Sequence, residues 1–184
     1  MRGTVAMLVI AAACGNTVKE PDSRVQTVND LVPAKYKYKL DFAARSVNAG
    51  LEEKQLWTVP APKSWRVESS GGGIYAQSEV GGKSYIQVWT KPCVGQCKPE
   101  LPARRADLLD ERDQDVEVDG KLLHRHIEIS APHPIVPDDG LYISVYTWAP
   151  SGTVYHECMA RLAPEIKDAQ KAFEAACTLA KPLS

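Results

Sequence analysis

The fold is decided by the segment LYISVYTWAPSGTVYHECMARLAPEIKDAQKAFEAACTLA, residues 141–180. Residues 141–148 and 153–162 are rich in β-branched and aromatic side chains, and the Ala-Pro-Ser-Gly between them is typical of a hairpin turn. After the hairpin, apolar residues recur three and four positions apart, which predicts a helix that begins near Pro164 and ends at Pro182. The apolar stripe of this helix comprises Ile166, Ala169, Phe173, Ala176, Cys177 and Ala180.

Residues upstream of this segment predict further strands. Period-two alternation or β-rich composition marks residues 36–42, 55–67, 74–80, 83–89, 116–118 and 121–129. Gly81-Gly82 and Asp119-Gly120 predict two-residue hairpin turns, whereas residues 101–113 (LPARRADLLDERD) predict a short charged helix. The sequence therefore predicts a single α+β domain, mainly an antiparallel sheet with hairpins, packed by a C-terminal helix.

The N-terminus, MRGTVAMLVIAAAC, has the pattern of an export signal. Arg2 precedes the apolar run of residues 5–13, which ends in three small residues before Cys14. The stretch resembles the signal of bacterial lipoproteins, in which that cysteine receives lipid and becomes the new N-terminus. Ala11-x-Ala13 also suits ordinary signal peptidase, so secretion without lipid remains open, as does a cytosolic protein with an apolar N-terminus.

These features divide the chain into three parts. Residues 1–13 are expected to be the signal peptide, residues 14–33 the lipidated cysteine with a polar tether, and residues 34–184 the globular domain. Part of the tether could add a strand or a helix. The lipoprotein resemblance implies acyl chains, such as palmitate, on Cys14 that anchor the protein to a membrane. In a Gram-negative cell, the absence of Asp after Cys14 would favour the outer membrane, with the domain in the periplasm.

The cysteine count supports export. There are five cysteines, and without Cys14 four remain, which can pair in three ways in an oxidising compartment. The pairs Cys93–Cys97 and Cys158–Cys177 are favoured, because a glycine lets residues 93–97 turn tightly and the second pair would tie a strand to the C-terminal helix. A redox or zinc site is the alternative, but the spacings fit neither a CxxC motif nor a zinc knuckle.

The histidines give no clear catalytic or metal-binding motif. His124 and His126 would share one strand face, and a zinc site would also need His133, His156 or a carboxylate. Polar residues that alternate on the solvated face of a strand give the same spacing. His156-Glu157 begins like a zincin motif, but Ala160 stands where its second histidine belongs.

Other candidate sites have structural explanations. Residues 115–120 are similar to a calcium loop, but His126 stands where that loop requires a bidentate Glu. At least three of the four tryptophans, Trp57, Trp65, Trp89 and Trp148, are expected to pack in the core. We therefore predict no catalytic residue, no metal site and no cofactor.

The segment VPAPKSWRV, residues 59–67, resembles the entry of PsbP/Mog1-like domains, in which a proline and small residues precede Trp. The final strand, followed by a helix that carries an aromatic residue (here Phe173), is also similar to these domains, and the resemblance extends over residues 36–183. It implies a binding or assembly module rather than an enzyme, although the chain has no defined binding signature of that family.

Composition narrows the function without identifying it. The formal net charge of −1 and the mixed charges give no basic surface for nucleic acid. The first hypothesis is a membrane-anchored envelope lipoprotein that binds an envelope protein or a cell-wall component without catalysis. The second is a carrier of a small apolar ligand, and the third a metal-dependent envelope hydrolase built on His124, His126 and His156.

Overall fold

The structure is a computed structural model that describes residues 23–49, 55–68, 72–76, 84–93, 97, 99, 107–118, 120–131 and 140–183. The expected signal peptide, Cys14, Asp119 and His133 lie outside the described residues. None of the helices in the described ranges is long and apolar enough to span a membrane.

The described residues contain two α-helices and ten strands. They are α1 (Ser23–Asp30), β1 (Phe42–Asn48), β2 (Leu56–Pro62), β3 (Arg66–Val67), β4 (Gly73–Tyr75), β5 (Tyr85–Pro92), β6 (Leu108–Val118), β7 (Lys121–Ser130), β8 (Leu141–Trp148), β9 (Val154–Leu162), α2 (Gln170–Leu179) and β10 (Lys181–Pro182). Short 3₁₀ helices precede β1, at Ala34–Tyr36, and α2, at Pro164–Ala169.

The strands form two antiparallel sheets. A seven-stranded sheet has the order β3-β4-β5-β9-β8-β7-β6, and a three-stranded sheet has the order β1-β2-β10. The predicted hairpin at residues 141–162 is present, with Leu141 paired to Leu162 and Trp148 to Tyr155. Gly120 takes a positive φ of 73° between β6 and β7, a conformation that glycine adopts at little cost. The chain is thus the expected single α+β domain.

Helix α2 covers one face of the large sheet and closes the core. The predicted stripe residues Ile166, Ala169, Phe173, Ala176 and Cys177 are all buried. The ring of Phe173 lies 5.3 Å from Phe42 of β1 and 5.4 Å from Trp65, which precedes β3, between ring centroids. It therefore connects the helix to the small sheet and to the turn that leads into the large sheet. Burial of one such aromatic side chain contributes about 1.5–3 kcal/mol.

The prediction of a strand at residues 36–42 is wrong. Residues 34–36 form a 3₁₀ helix, and Leu40 N–H donates to the carbonyl of Tyr36, so the chain turns before β1 begins at Phe42. Tyr38 is 78% exposed. Alternating Tyr and Lys residues resemble a half-buried strand, but no neighbouring strand pairs with them here.

The prediction of a helix at residues 101–113 is also wrong for the described part. Residues 108–113 belong to β6, the edge strand that pairs with β7. Most β6 side chains are exposed, as expected for the acidic run. The cross-strand pairing with β7 outweighs the local helix propensity of Leu, Glu and Arg.

The expected tether boundary at residue 33 lies too far along the chain. Helix α1 occupies part of the expected tether, and Val28 and Val32 are buried in the core. The Asn29 side chain donates to the Phe42 carbonyl at 3.1 Å and accepts from the Phe42 N–H at 2.8 Å. Residues from Ser23 onward therefore belong to the globular domain.

Both expected cysteine pairs are at bonding distance in the structure. The Cα atoms of Cys93 and Cys97 are 4.9 Å apart, and those of Cys158 and Cys177 are 5.3 Å apart. The second pair fastens α2 to β9 beneath the core, where both cysteines are buried. Two disulfides are consistent with an exported protein.

We expect the Cys158–Cys177 bond to stabilise the domain more than Cys93–Cys97 does. The two loops close over sequence separations of 19 and 4 residues, so removal should cost about 3 and about 2 kcal/mol of unfolding free energy respectively. Urea denaturation of the Cys158→Ser/Cys177→Ser and Cys93→Ser/Cys97→Ser double variants measures both. Equal stability of the first variant and the unchanged protein would contradict the assignment.

Candidate functional site

The sheet face that α2 covers changes from apolar to polar along its strands. We call it the inner face. One row across it consists of Ile127, Val145, Cys158 and Val88, which are paired in register and buried. The next row on the same face consists of Arg125, Thr147, His156 and Thr90. The disulfide to α2 leaves from the apolar row, so the polar row lies where the helix ends.

A cleft of about 580 Å³ opens at this polar row. Arg125, Thr147 and His156 line it together with Val145 and Cys158. Its walls come from five other places: Arg24 of α1, Trp57 of β2, the adjoining ends of β6 and β7, the β8–β9 connection, and the chain from Cys177 to Pro182. The volume falls within the range of about 300–1,000 Å³ that is usual for small-molecule sites.

Arg125 is a buried cation that lacks a charged partner. It is 8% exposed, and its Nη2 donates to the Thr178 carbonyl at 3.1 Å. Its Nε has no hydrogen-bond partner, and no carboxylate of the described residues forms an ion pair with it. Burial lowers the pKa of Arg125 from its ordinary value, because a low dielectric disfavours the charged form.

Trp57 and His156 complete the polar part of the cleft. Trp57 is 1% exposed, and its indole Nε1 also has no hydrogen-bond acceptor in the part of the chain that the structure describes. Its ring meets the His156 ring edge to face, with centroids 5.1 Å apart, and Thr90 Oγ1 lies 3.0 Å from His156 Nδ1. Burial lowers the pKa of His156, so the imidazole is neutral at pH 7. Two buried N–H donors without acceptors thus line one cleft.

The charged residues that line the cleft are mostly cationic. Arg24, Lys121, Arg125 and Lys181 contribute positive charge, and Glu117 is the only carboxylate among the lining residues in the described ranges. Apolar side chains such as Leu123 make up much of the remaining wall. A cleft with this lining can hold a molecule that has an apolar body and an anionic group.

The three histidines of the described residues do not form a common centre. His126 is in register with Tyr146 and Glu157 on the opposite, outer face of the sheet, whereas His156 belongs to the inner face. A hydrolase built on His124, His126 and His156 is therefore wrong, because the sheet separates the third imidazole from the other two. His124 forms a hydrogen bond with Asp115.

His126 corrects the interpretation of this strand face as solvated. It is 1% exposed, with Nδ1 2.8 Å from Asp113 Oδ1 and Nε2 3.3 Å from Glu128 Oε1. The alternation of His124 and His126 indicated the shared face correctly. It carried no information about burial, which depends on neighbouring strands.

The tryptophans divide between the core and the cleft. Trp57 and Trp65 belong to the hydrophobic core, and Trp57 also lines the cleft. Trp148 lines the cleft from β8 and is partly exposed, whereas Trp89 is partly exposed beneath Lys91 Nζ at 5.5 Å. Fewer of them therefore pack in the core than the three expected.

Sequence reasoning missed Arg125 as a site residue, although a signal was present. In the alternation of β7, residue 125 has the same phase as Ile127 and Ile129. An arginine in the inward phase of a strand indicates a buried charge, which is uncommon without a partner.

Comparison with known proteins assigns no family. The sequence matches no protein-family model, and no curated protein matches it.

Replacement of His156 should change how stability depends on pH. Because its folded-state pKa is lowered, the unfolded chain takes up a proton first as pH falls below about 6.5. The free energy of unfolding should therefore decrease through that window. We expect His156→Gln to lose less stability than the unchanged protein between pH 7 and pH 5, measured by urea denaturation. The same loss in His156→Gln and in the unchanged protein would exclude this role of His156.

Proposed function

We propose that this chain is an exported, lipid-anchored envelope protein whose domain binds an amphipathic anion in the cleft. The observation that carries the proposal is Arg125, a buried guanidinium in the cleft that has no carboxylate partner among the described residues. This is a carrier or binding role, and it requires no bond to be made or broken.

Burial of the Arg125 guanidinium costs stability in the free protein. A buried charge without a partner destabilises a fold by several kcal/mol, and one hydrogen bond to the Thr178 carbonyl offsets little of that. A carboxylate, phosphate or sulfate group would supply the missing opposite charge. It would also accept from the Arg125 Nε–H and the Trp57 Nε1–H, which are donors only.

The apolar walls determine the rest of the ligand. Val145 and Leu123 of the sheet, Val154 of β9 and Leu179 of α2 line the same cleft as Arg125. Removal of an alkyl chain from water contributes about 0.8 kcal/mol for each buried methylene. A ligand with an alkyl or ring body and one anionic group therefore matches the cleft better than a sugar or a metal ion.

The location is proposed from the N-terminal sequence and the cysteines together. The apolar run that ends at Cys14 resembles a lipoprotein signal, and the disulfides suit an oxidising compartment. Lipid on Cys14 would hold the domain at the envelope, at the outer membrane of a Gram-negative cell. An envelope protein or cell-wall component is the partner that such a position would offer.

We expect the protein to bind decanoate and not decyltrimethylammonium, because both have the same alkyl chain but only decanoate complements Arg125. Titration below the micellar concentration can be followed by calorimetry and by the fluorescence of Trp57 and Trp148. Arg125→Met should weaken decanoate binding at least about tenfold, since a hydrogen bond to a charged group contributes about 1.5–3 kcal/mol.

The control variant is Arg112→Gln, which removes a cation of the neighbouring strand that does not line the cleft. It should bind decanoate like the unchanged protein. Arg125→Met should not lower the free energy of unfolding, because it removes an uncompensated buried charge. Equal binding of both amphiphiles, or full binding by Arg125→Met, would refute the proposal.

The lipid anchor is tested by mass spectrometry of the protein purified from membranes. We expect a mature chain that begins at Cys14 and carries the added mass of acyl chains. Cys14→Ser should abolish that modification and release the protein from the membrane fraction, whereas Arg2→Lys should leave both unchanged. A product that retains Met1 would contradict the anchor without affecting the cleft.

A further inference from the structure

The outer face of the seven-stranded sheet carries a second cluster, formed by Glu111, His126 and Glu128. Their potential ligand atoms lie within 4.8 Å of one another. His126 Nε2 is 3.3 Å from Glu128 Oε1 and 3.6 Å from Glu111 Oε1. The sheet separates this cluster from the cleft, so it is independent of the proposed function.

The register of β6 and β7 places two like charges opposite each other. Glu111 is the cross-strand partner of Glu128, and like charges in directly opposed positions destabilise a strand pair. Among the described residues, His126 is the only ion-pair partner of either carboxylate. The pair therefore requires a positive charge between the two side chains.

His126 is held in the orientation of a metal ligand. Its ring is buried, and Nδ1 lies 2.8 Å from Asp113 Oδ1, so Nδ1–H donates to that carboxylate. In the neutral imidazole this tautomer leaves the Nε2 lone pair directed at the two glutamates. Metal-binding histidines are commonly held by such a carboxylate on the other ring nitrogen. A lone pair that faces carboxylate oxygens needs either a proton or a metal ion between them.

We propose that Glu111, His126 and Glu128 bind a divalent ion of the zinc class. Tetrahedral zinc with bonds of about 2.0–2.2 Å has ligand atoms about 3.3–3.6 Å apart, and the two Nε2–oxygen distances are 3.3 and 3.6 Å. An imidazole nitrogen among the donors favours zinc over magnesium or calcium, which prefer oxygen. Glu111 is exposed, so a water molecule can take the fourth position.

Such an ion would connect the edge strand β6 to β7. It would neutralise the opposed glutamates and join two residues of β7 to one of β6, in the part of the sheet where β6 has no second neighbouring strand. Bound metal stabilises the folded state in proportion to the logarithm of its free concentration. Zinc should therefore raise the melting temperature of the protein.

The experiment uses the mature protein without a histidine tag, stripped with EDTA and titrated with Zn²⁺ by calorimetry in excess Mg²⁺. We expect one zinc per chain and a higher melting temperature. Glu128→Gln and Glu111→Gln should each weaken zinc binding at least tenfold. Asp113→Asn, which removes the positioning residue of His126, should weaken it by about 10–100-fold.

The matched control is His124→Gln, which removes the other histidine–aspartate pair between the same two strands. It should retain full zinc affinity. If Glu128→Gln does not fold, Glu111→Gln decides the question, because Glu111 is on the edge strand and exposed. No zinc binding at one per chain, or binding lost in His124→Gln and kept in both glutamate variants, would overturn the proposal.

Discussion

Helix α2 packs on the inner face of the large sheet, and the Cys158–Cys177 bond fixes where along the strands it lies. Phe173 packs against Phe42 of the small sheet and against Trp65, while the disulfide is attached to the apolar row of Ile127 and Val145. The helix ends at Leu179, so the next row of the same face has no helix above it. The cleft lies at that polar row, next to the end of the helix.

Each face of the large sheet carries polar groups that are incompletely compensated. They are hydrogen-bond donors on the inner face and carboxylates on the outer face. On the inner face, Arg125 and Trp57 are buried donors that need an acceptor. On the outer face, Glu111 and Glu128 are directly opposed carboxylates that share His126 as their ion-pair partner among the described residues. Unpaired polar groups lower the stability of a fold, and proteins concentrate such costs at functional sites. The missing partner in each case indicates the chemistry of what binds.

The elements that depend on local pattern could be predicted from sequence, whereas those that depend on distant pairing could not. The hairpin at residues 141–162 and the helix around Phe173 are each specified by residues that lie close together in the sequence. The alternation at residues 36–42 and the charged run at residues 101–113 lacked information about which strand would pair with them. The burial of Arg125 and His126 was equally out of reach, because it depends on where α2 ends and on how β6 and β7 align.

The most direct test of the central claim is the NMR signal of the Arg125 Nε–H during a titration with decanoate. The signal is assigned by its loss in Arg125→Lys. In the free protein, the chemical shift of this proton should be that of a buried N–H without an acceptor. Decanoate should move the chemical shift downfield, because a charged hydrogen bond forms. A signal that does not move while decanoate binds would contradict the account, because the anion would then lie elsewhere.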